Sequence, residues 1–281
     1  MLAALMVAAL ATLLASRLLV AQDDFVSMTV VQRDLDQTRR LALGAVDLAR
    51  AVLLDDRARG NVDHLGEPWA TAIRDTPAEQ GRLSGHIDDA QARFNLLSLV
   101  GEDGDIDAAA LAAYQRLVSL LGLDSRMAET LAAWLKSKQK SLPPGQYYLP
   151  GFGDLIGELS VLPGYSTEAL AVLRPYVIVL PTRTPVNLNT APPMLLAAVT
   201  ALPLPRAGQV AADRMPVWFR EVVDFRQRHP DGRGDDRLMA TRSSYFEVVV
   251  DASQNGLHTR LKGLLHRRDD RVDVIAFRYG E

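Results

Sequence analysis

The first sixteen residues, MLAALMVAALATLLAS, contain no charged side chain, and this stretch limits the possible folds more than any other part of the chain. Arg17 interrupts the apolar run, which then continues to Ala21. A membrane-spanning helix needs about 20 apolar residues, and an arginine near its end can extend its charge to the lipid headgroups. We therefore expect residues 1–21 to insert into a membrane.

A cleaved secretory signal and a buried core helix are the alternatives for this stretch. A signal peptide begins with a basic segment and ends at a processing site, whereas here the helical pattern continues without a break. Apolar or small residues recur three, four or seven positions apart from Phe25 to Val52, and Gly44 is the only glycine among them. The pattern predicts one helix over about residues 2–55, roughly 80 Å long, with an apolar stripe for a globular head.

The composition excludes some classes of protein. A chain of 281 residues with 48% hydrophobic residues can form one or two domains with a sizeable core. The formal net charge of -3 does not favour nucleic acid as a general partner, and the absence of cysteine excludes disulfides and thiolate metal sites.

The histidines do not indicate a metal site. His64 lies among polar residues, so we expect it to be solvated. His258 and His266 would lie about 27 Å apart on one strand and cannot share a metal.

The part that follows the long helix contains the first strand signals. Residues 55–81 predict a loop with short turns, which Trp69 and Ile73 would attach to the head. Apolar or small residues alternate with polar ones over residues 82–87, the period-two pattern of a half-buried strand. Residues 92–95 are interpreted as a returning strand.

Two groups of aspartates are candidates for chemistry. Asp88 and Asp89 could form a carboxylate pair for acid–base catalysis, but adjacent strand residues point to opposite faces, so we expect a turn there. Asp103, Asp105 and Asp107 alternate as at the start of a calcium loop, yet the closing glutamate of the twelve-residue pattern is missing. An aspartate-capped loop before a helix is the favoured interpretation, and a calcium site is the alternative.

Residues 96–240 are rich in helix formers. Residues 111–124 and 126–140 each carry an apolar stripe, and a loop rich in proline and glycine is expected at 142–153. Residues 158–177 and 184–205 then resemble two helix-hairpin-helix units. The expected helix caps are Ser166 or Thr167 in the first unit and Asn189 or Thr190 in the second, whose apolar face is Leu195, Leu196 and Val199.

Helix-hairpin-helix units can bind DNA by offering backbone N–H groups to phosphates, usually beside lysine or arginine. The first unit has Glu158 and Glu168 nearby and only Arg174 as a cation, which is unfavourable for a phosphate partner. The hairpins are therefore interpreted as packing modules, with nucleic-acid binding as the alternative.

Further along, residues 218–225 predict a helix. The RGD letters at 233–235 are interpreted as a chance match in a loop tip.

The last forty residues change to a period of two. Residues 245–253, 257–268 and 271–280 form three alternating segments, and Asn255 with Gly256 is a strong hairpin signal between the first two. The end of the chain is therefore predicted to be an antiparallel meander.

Together these elements predict an α+β fold. It is a pilin-like arrangement in which a long N-terminal helix packs on an antiparallel sheet, with a large all-α insertion domain between the second and third strands. The predicted parts are a membrane or pilus-core half-helix, the first part of the head, the helical insertion and the C-terminal part of the head, over residues 1–21, 22–95, 96–240 and 241–281.

At the level of the whole chain, the sequence resembles the K-type minor pseudopilins of bacterial type II secretion systems. The stretches that carry the resemblance are the uncharged N-terminal helix, LSGHIDDAQARFNLLSLV, LRPYVIVLPTRTPVNLNTAPPMLLAAV, and the end from RSSYFEVVV to TRLKGLLHRR. Their order matches that of the family, and together they span essentially the whole chain.

The resemblance implies a non-enzymatic subunit at the tip of a short periplasmic pseudopilus, where it helps to start assembly and limits fibre growth. Its expected partners are the I-type and J-type minor pseudopilins, the other pseudopilins of the system, and the prepilin peptidase that cleaves and methylates the precursor. The expected location is the bacterial inner membrane, crossed once, with the head in the periplasm. No nucleic acid is expected as a partner.

Two departures from the family pattern, at the N-terminus and after Trp134, change these expectations. Family members start with a basic leader that ends in glycine, so we expect Met1 near the mature start, or a leader already removed. Pseudopilins other than the K type carry glutamate at the fifth mature position; counted from Met1 this is Leu5, which suits a capping subunit because an unpaired buried charge is costly. The family's acidic calcium-associated stretch after Trp134 is basic here, LKSKQKSLPPGQYY, so we expect this copy to lack that calcium site and any other cofactor.

Two other functional classes remain as alternatives. A membrane-tethered helix-hairpin-helix module that contacts nucleic acid would bind DNA in a salt-sensitive manner. A membrane-anchored enzyme is disfavoured because the sequence contains no GxSxG, HExxH or P-loop motif.

Overall fold

A computed structural model describes residues 1–78, 81–141, 158–215 and 217–280. The loop expected at 142–153 lies outside the described residues. In chain order, the helices are α1 (Leu2–Arg59), α2 (Ala108–Leu120), α3 (Arg126–Lys140), α4 (Thr167–Leu173), α5 (Pro193–Thr200), α6 (Leu204–Asp213) and α7 (Val222–Arg228). The strands are β1 (Ile73–Ala78), β2 (Gly81–Asp89), β3 (Phe94–Asn95), β4 (Val177–Ile178), β5 (Val186–Asn187), β6 (Met239–Ala240), β7 (Tyr245–Gln254), β8 (Leu257–Arg267) and β9 (Val272–Gly280).

α1 is one continuous helix of 58 residues, which confirms the helix predicted from the spacing. Its buried side chains lie three or four positions apart, so they form a stripe along one face: Thr38, Ala42, Val46, Ala49 and Leu53. This stripe packs chiefly on β7 and β8. Small residues in the stripe let the helix axis approach the sheet closely.

Membrane insertion of residues 1–21 stays a prediction. Within the described residues, no single helix has the length and apolar character that a membrane span requires. One pair of helices, α5 and α6, meets the requirement when taken together, by length and composition alone, and its two members are bent by 116°.

The head contains a five-stranded antiparallel sheet in the order β1-β2-β7-β8-β9. β2 pairs with β7 up to Asp89 and Phe246, so residues 90–244 leave and re-enter the head on adjacent strands. The predicted hairpin between β7 and β8 is confirmed, because Asn255 and Gly256 adopt positive φ angles of 49° and 81°. The insertion therefore lies between the second and third strands of the sheet, but the second strand is β2 and not the predicted residues 92–95.

Two strand predictions near the start of the head were wrong. The segment that contains Ile73 forms β1 and not a loop; this edge strand carries Pro77 and is mostly exposed, so it has no period-two signal. Residues 92–95 do not return to the sheet. β3 instead pairs in parallel with β4 inside the insertion, where Phe94 and Asn95 are buried.

The insertion has a core of its own, formed by α2 to α7 and the buried side chains of β3 to β6. α5 is buried on every side, which explains its continuous apolar sequence. At the centre of this core the hydroxyls of Tyr114 and Tyr165 lie 3.0 Å apart, and Tyr165 donates to the carbonyl of Met127. Among the described residues of the insertion, the strands form two parallel pairs of two residues each, and the other regular elements are helices, which agrees with the predicted fold class.

Several predicted helix features can be compared with the structure. Ser166 caps α4 by accepting a hydrogen bond from the N–H of Ala169, as expected. Asn189 and Thr190 do not cap α5, which begins at Pro193 without a side-chain cap, because both side chains are hydrogen-bonded elsewhere. The helix predicted over residues 218–225 begins only at Val222.

Candidate functional site

A buried polar cluster joins the head to the insertion at the C-terminal end of α1. The head and the adjoining loops contribute four charged side chains, and the insertion with its return to β7 contributes three neutral ones. We call this set the polar junction: Asp56, Asp63, Asp89, Arg267, Asn187, Thr190 and Ser243, all buried. Buried polar groups need hydrogen-bond partners, so these contacts fix how the insertion sits on the head.

Asp89, at the end of β2, connects the two parts directly. One carboxylate oxygen accepts hydrogen bonds from the amide of Asn187, the hydroxyl of Thr190 and the hydroxyl of Ser243. The other oxygen accepts from the backbone N–H of Gln91. Burial raises the pKa of Asp89 to about 6, although the hydrogen bonds from Thr190 and Ser243 oppose this shift. The turn predicted at Asp88 and Asp89 was wrong, because both residues lie in β2 and a short turn follows in residues 90–92.

Arg267, at the end of β8, is the cation of the polar junction. Its guanidinium donates to Asp56 over 2.7 Å, to Asp63, and to the carbonyl of Ser243 over 2.9 Å. Asp56, Asp63 and Glu67 have oxygens within 4.8 Å of one another, a spacing that could hold a metal ion. Because the guanidinium already lies between two of these carboxylates, the cluster is a buried ion pair and does not fit a metal.

Glu67 and His64 lie at the edge of the polar junction. Glu67 accepts hydrogen bonds from the indole of Trp69 and the backbone N–H of His64, and burial raises its pKa to about 7. The His64 ring stacks on Trp218 at 3.8 Å, and burial lowers its pKa. The expectation that His64 is solvated was therefore wrong, because a tryptophan from a distant part of the chain covers it.

The loop that contains the RGD letters is packed against α5. The backbone N–H groups of Arg233 and Gly234 both donate to the carbonyl of Thr200, at 2.8 and 2.9 Å, and so satisfy the C-terminal end of α5. Arg226 donates to the carbonyl of Gly232 and to Asp236. These contacts give the loop a structural role.

The architecture matches that of a solved structure. The crystal structure of the GspK-GspI-GspJ complex from the type 2 secretion system of enterotoxigenic Escherichia coli contains a chain that aligns with a TM-score of 0.73. The alignment covers 90% of this chain and 99% of that one, at 22% sequence identity. At this identity the likeness establishes the fold.

Sequence comparison identifies the family. The family model for type II secretion system (T2SS), protein K, matches residues 92–182. The type II secretion system protein K of Pseudomonas aeruginosa is 28% identical over 306 residues, covering 99% of this chain and 91% of that protein. That of Klebsiella pneumoniae is also 28% identical, covering 98% and 94%. Over nearly its whole length, the chain is therefore similar to type II secretion system protein K.

The resemblance inferred from the sequence is thus confirmed, and with it a role as a minor pseudopilin component of protein secretion. Four relatives carry the name of this secretion component rather than that of an enzyme. The match at 92–182 lies in the insertion.

The aspartates that were weighed as calcium ligands face cations and N–H donors. Asp105 lies 2.7 Å from the ammonium of Lys136, which lowers the pKa of this carboxyl. One oxygen of Asp107 accepts from the first backbone N–H groups of α2, and the other lies 3.5 Å from Arg183. Asp103 accepts from the backbone N–H of Asp105. These side chains form an aspartate-capped loop. The absence of a calcium site there stays a prediction.

The polar junction was largely missed from the sequence, although a usable signal was present. Asp89 continues the alternating series Leu83, Gly85 and Ile87 toward the buried face. In the same way Arg267 continues the apolar series of β8 after Leu265. A charged residue at the end of an apolar strand face must either leave that face or find buried partners, and both residues have found partners.

Proposed function

We propose that this protein K chain is the tip subunit of the type II secretion pseudopilus, where it starts assembly and limits fibre growth. One observation carries the proposal: the insertion is attached beside the C-terminal end of α1, where Asn187 donates to Asp89 and to the carbonyl of Asp63. This end is opposite the apolar N-terminal segment. In a fibre whose subunits stand with that segment toward the membrane, the insertion occupies the space above the head.

The rigidity of the attachment supports this proposal. Asp89, Asn187 and Ser243 join strands of both parts through hydrogen bonds of 2.7 to 3.1 Å. A bulky group on a flexible linker could move aside for an incoming subunit, whereas a group held by a buried network cannot. The insertion would therefore block further addition above the head.

The partners belong to the same proposal. The solved chain with this fold was crystallised in a complex with GspI and GspJ, so we expect the I-type and J-type minor pseudopilins of the same cell to bind this chain. The apolar N-terminal segment would hold the complex in the inner membrane, with the head in the periplasm.

Partner binding is tested by co-purification of the full-length chain in detergent from cells that produce the I-type and J-type pseudopilins. We expect a complex with one copy of each chain by analytical sedimentation. If the chain is folded and neither pseudopilin co-purifies, the tip proposal loses its basis.

The blocking role is tested separately by deletion of residues 97–240, with a short glycine-serine linker, in a strain that assembles visible pseudopili. The sheet and α1 remain in this variant. We expect longer fibres that contain the truncated chain along their length. Fibres of unchanged length, with the truncated chain still at the end, would show that the insertion does not limit growth.

A further inference from the structure

A strip of apolar side chains on β9 lies exposed on the face of the sheet that carries α1. Val274, Phe277 and Tyr279 are between 37 and 52% exposed. Val274 lies opposite Leu265 and Tyr279 opposite Leu261, and residues directly opposite on neighbouring strands share a face. Because both leucines belong to the core beneath α1, the exposed side chains of β9 lie on the α1 side of the sheet.

The adjoining flank of α1 continues this apolar surface. The guanidinium of Arg39 lies 5.7 Å from the centre of the Tyr279 ring, and Arg50 donates to the first carbonyl of β9. Leu43 and Leu54 fall on the same helical stripe, four residues after each arginine, and remain 39 and 37% exposed. We call these side chains the β9 flank: Leu43, Leu54, Val274, Phe277 and Tyr279.

The width of the sheet explains why α1 does not cover the β9 flank. The outer strands of a five-stranded sheet lie about 19 Å apart, whereas a helix with its side chains is about 10 Å wide. α1 is centred on β7 and β8, so it leaves the apolar face of β9 uncovered. An exposed apolar surface of this kind is typical of a binding site.

The shape of the β9 flank favours a helix over a strand as its occupant. The register of β9 shifts opposite Leu264 and Leu265, so Ile275 has no pairing partner, and such a bulge disrupts strand addition at an edge. The exposed side chains also point to the face and not to the edge. The flank is about 17 Å long, both along β9 from Val274 to Tyr279 and along α1 from Leu43 to Leu54. This length equals about three turns of a helix.

We propose that the β9 flank binds one helix of about three turns, with an apolar stripe, from another pilin-like subunit, which lies beside α1 on the same sheet. This inference rests on the proposed function and names the surface that a neighbouring subunit uses. α1 itself exposes a stripe of this kind, at Phe25, Met28 and Val31. A helix of the type that this chain carries therefore has the chemistry that the β9 flank requires.

Site-specific photocrosslinking in membranes tests the contact. Benzoylphenylalanine replaces Phe277 or Tyr279 of the full-length chain, in cells that contain the I-type and J-type pseudopilins. The matched control is Arg278, on the same strand but the opposite face. We expect adducts from the first two positions, mapped by mass spectrometry to the N-terminal helix of another pseudopilin, and none from the control. Adducts only from position 278, adducts between two copies of this chain, or no adducts at all would overturn the proposal.

An association measurement separates this inference from the tip proposal. The F277D variant places a charge in the β9 flank, and V223D places the same charge at an equally exposed apolar position on α7. We expect roughly tenfold weaker association of F277D with the other pseudopilins and no change for V223D, with unchanged melting temperatures for both. If the unchanged chain associates and F277D associates equally well, the β9 flank is not the contact; if the unchanged chain does not associate, the tip proposal and this inference both fail.

Discussion

At the scale of single residues, the polar junction concentrates charge where the head and the insertion meet. Asp89 has four hydrogen-bond donors and no cation against it, while Arg267 has two carboxylates and a carbonyl. Such groups are costly to bury alone and stabilise the fold only as a complete network. The effects of substitutions here should therefore depend on which hydrogen bonds they leave unmade.

The D89N variant should be less stable than the unchanged protein by roughly 1–3 kcal/mol. An asparagine offers one acceptor oxygen, so its NH2 group would face the amide of Asn187 or the backbone N–H of Gln91, both of which are donors. Urea unfolding at neutral pH measures the loss. The D88N variant is the control, because Asp88 is exposed and lies 3.3 Å from His86; equal losses in both variants would contradict the assignment.

Glu67 should make stability depend on pH. Its pKa rises from 4.5 in the unfolded chain to about 7 in the folded protein, so the folded state holds a proton that the unfolded state has released. The resulting stabilisation is fully present below about pH 4.5 and is lost as the pH rises through 7. In E67Q the amide oxygen can still accept from Trp69 and from the N–H of His64.

Urea unfolding of the unchanged chain and of E67Q between pH 4.5 and 8 measures this effect. We expect the unfolding free energy of the unchanged chain to fall relative to E67Q as the pH rises, and then to level off above pH 7. The E102Q variant, altered at an exposed glutamate, should parallel the unchanged chain. A constant difference between the unchanged chain and E67Q would show that Glu67 does not titrate in this range.

At the scale of elements, the sequence predicts those helices and strands whose apolar residues recur at a regular spacing, and those turns that carry a local sequence signal. α1, β2 and the β7–β8 hairpin follow from spacing and from one asparagine-glycine turn. β1 could not be predicted, because an exposed edge strand with a proline carries no alternation. The start of α5 was misplaced because Asn189 and Thr190 bond to Phe219 and Asp89, partners that only the folded chain brings near.

The contact between α5 and the loop over residues 231–236 should tolerate no side chain at Gly234. A Cβ there would lie 1.8 Å from the carbonyl oxygen of Val199, so G234A must push the loop away from α5 and remove two donors from Thr200. We expect a loss of about 2 kcal/mol or more in unfolding free energy. The control G208A lies in α6 with nothing within 4 Å and should gain up to about 1 kcal/mol. A stable G234A would show that the loop is not held there.

At the scale of the whole molecule, a pilin-like head carries a second folded unit on two adjacent strands. The fold class and the order of the parts could be predicted because apolar residues recur every three or four positions in the helical insertion and every two positions in the strands. The polar junction could not, because Asp63, Asn187 and Arg267 come from three distant parts of the sequence. Their proximity is a property of the assembled fold alone.

The R267M variant should weaken the attachment of the insertion to the head. It leaves Asp56 and Asp63 without their shared cation, and breaking a buried ion pair typically costs about 3–5 kcal/mol. Arg268, which is exposed and lies 3.3 Å from Asp273, provides the control variant R268M. Limited proteolysis should cut R267M within residues 60–67 or 241–244 much faster than R268M; equal rates would mean that other contacts hold the junction.

The adjacency of β2 and β7 also determines when the head can fold. Asp89 and Phe246 pair although more than 150 residues separate them, so the central ladder of the sheet has a high contact order and forms slowly. The insertion has its own core and can collapse earlier, which shortens the effective distance between the two strands. We therefore expect the first two strands to remain an isolated hairpin until the last forty residues arrive, and the head to be completed only after the insertion has folded.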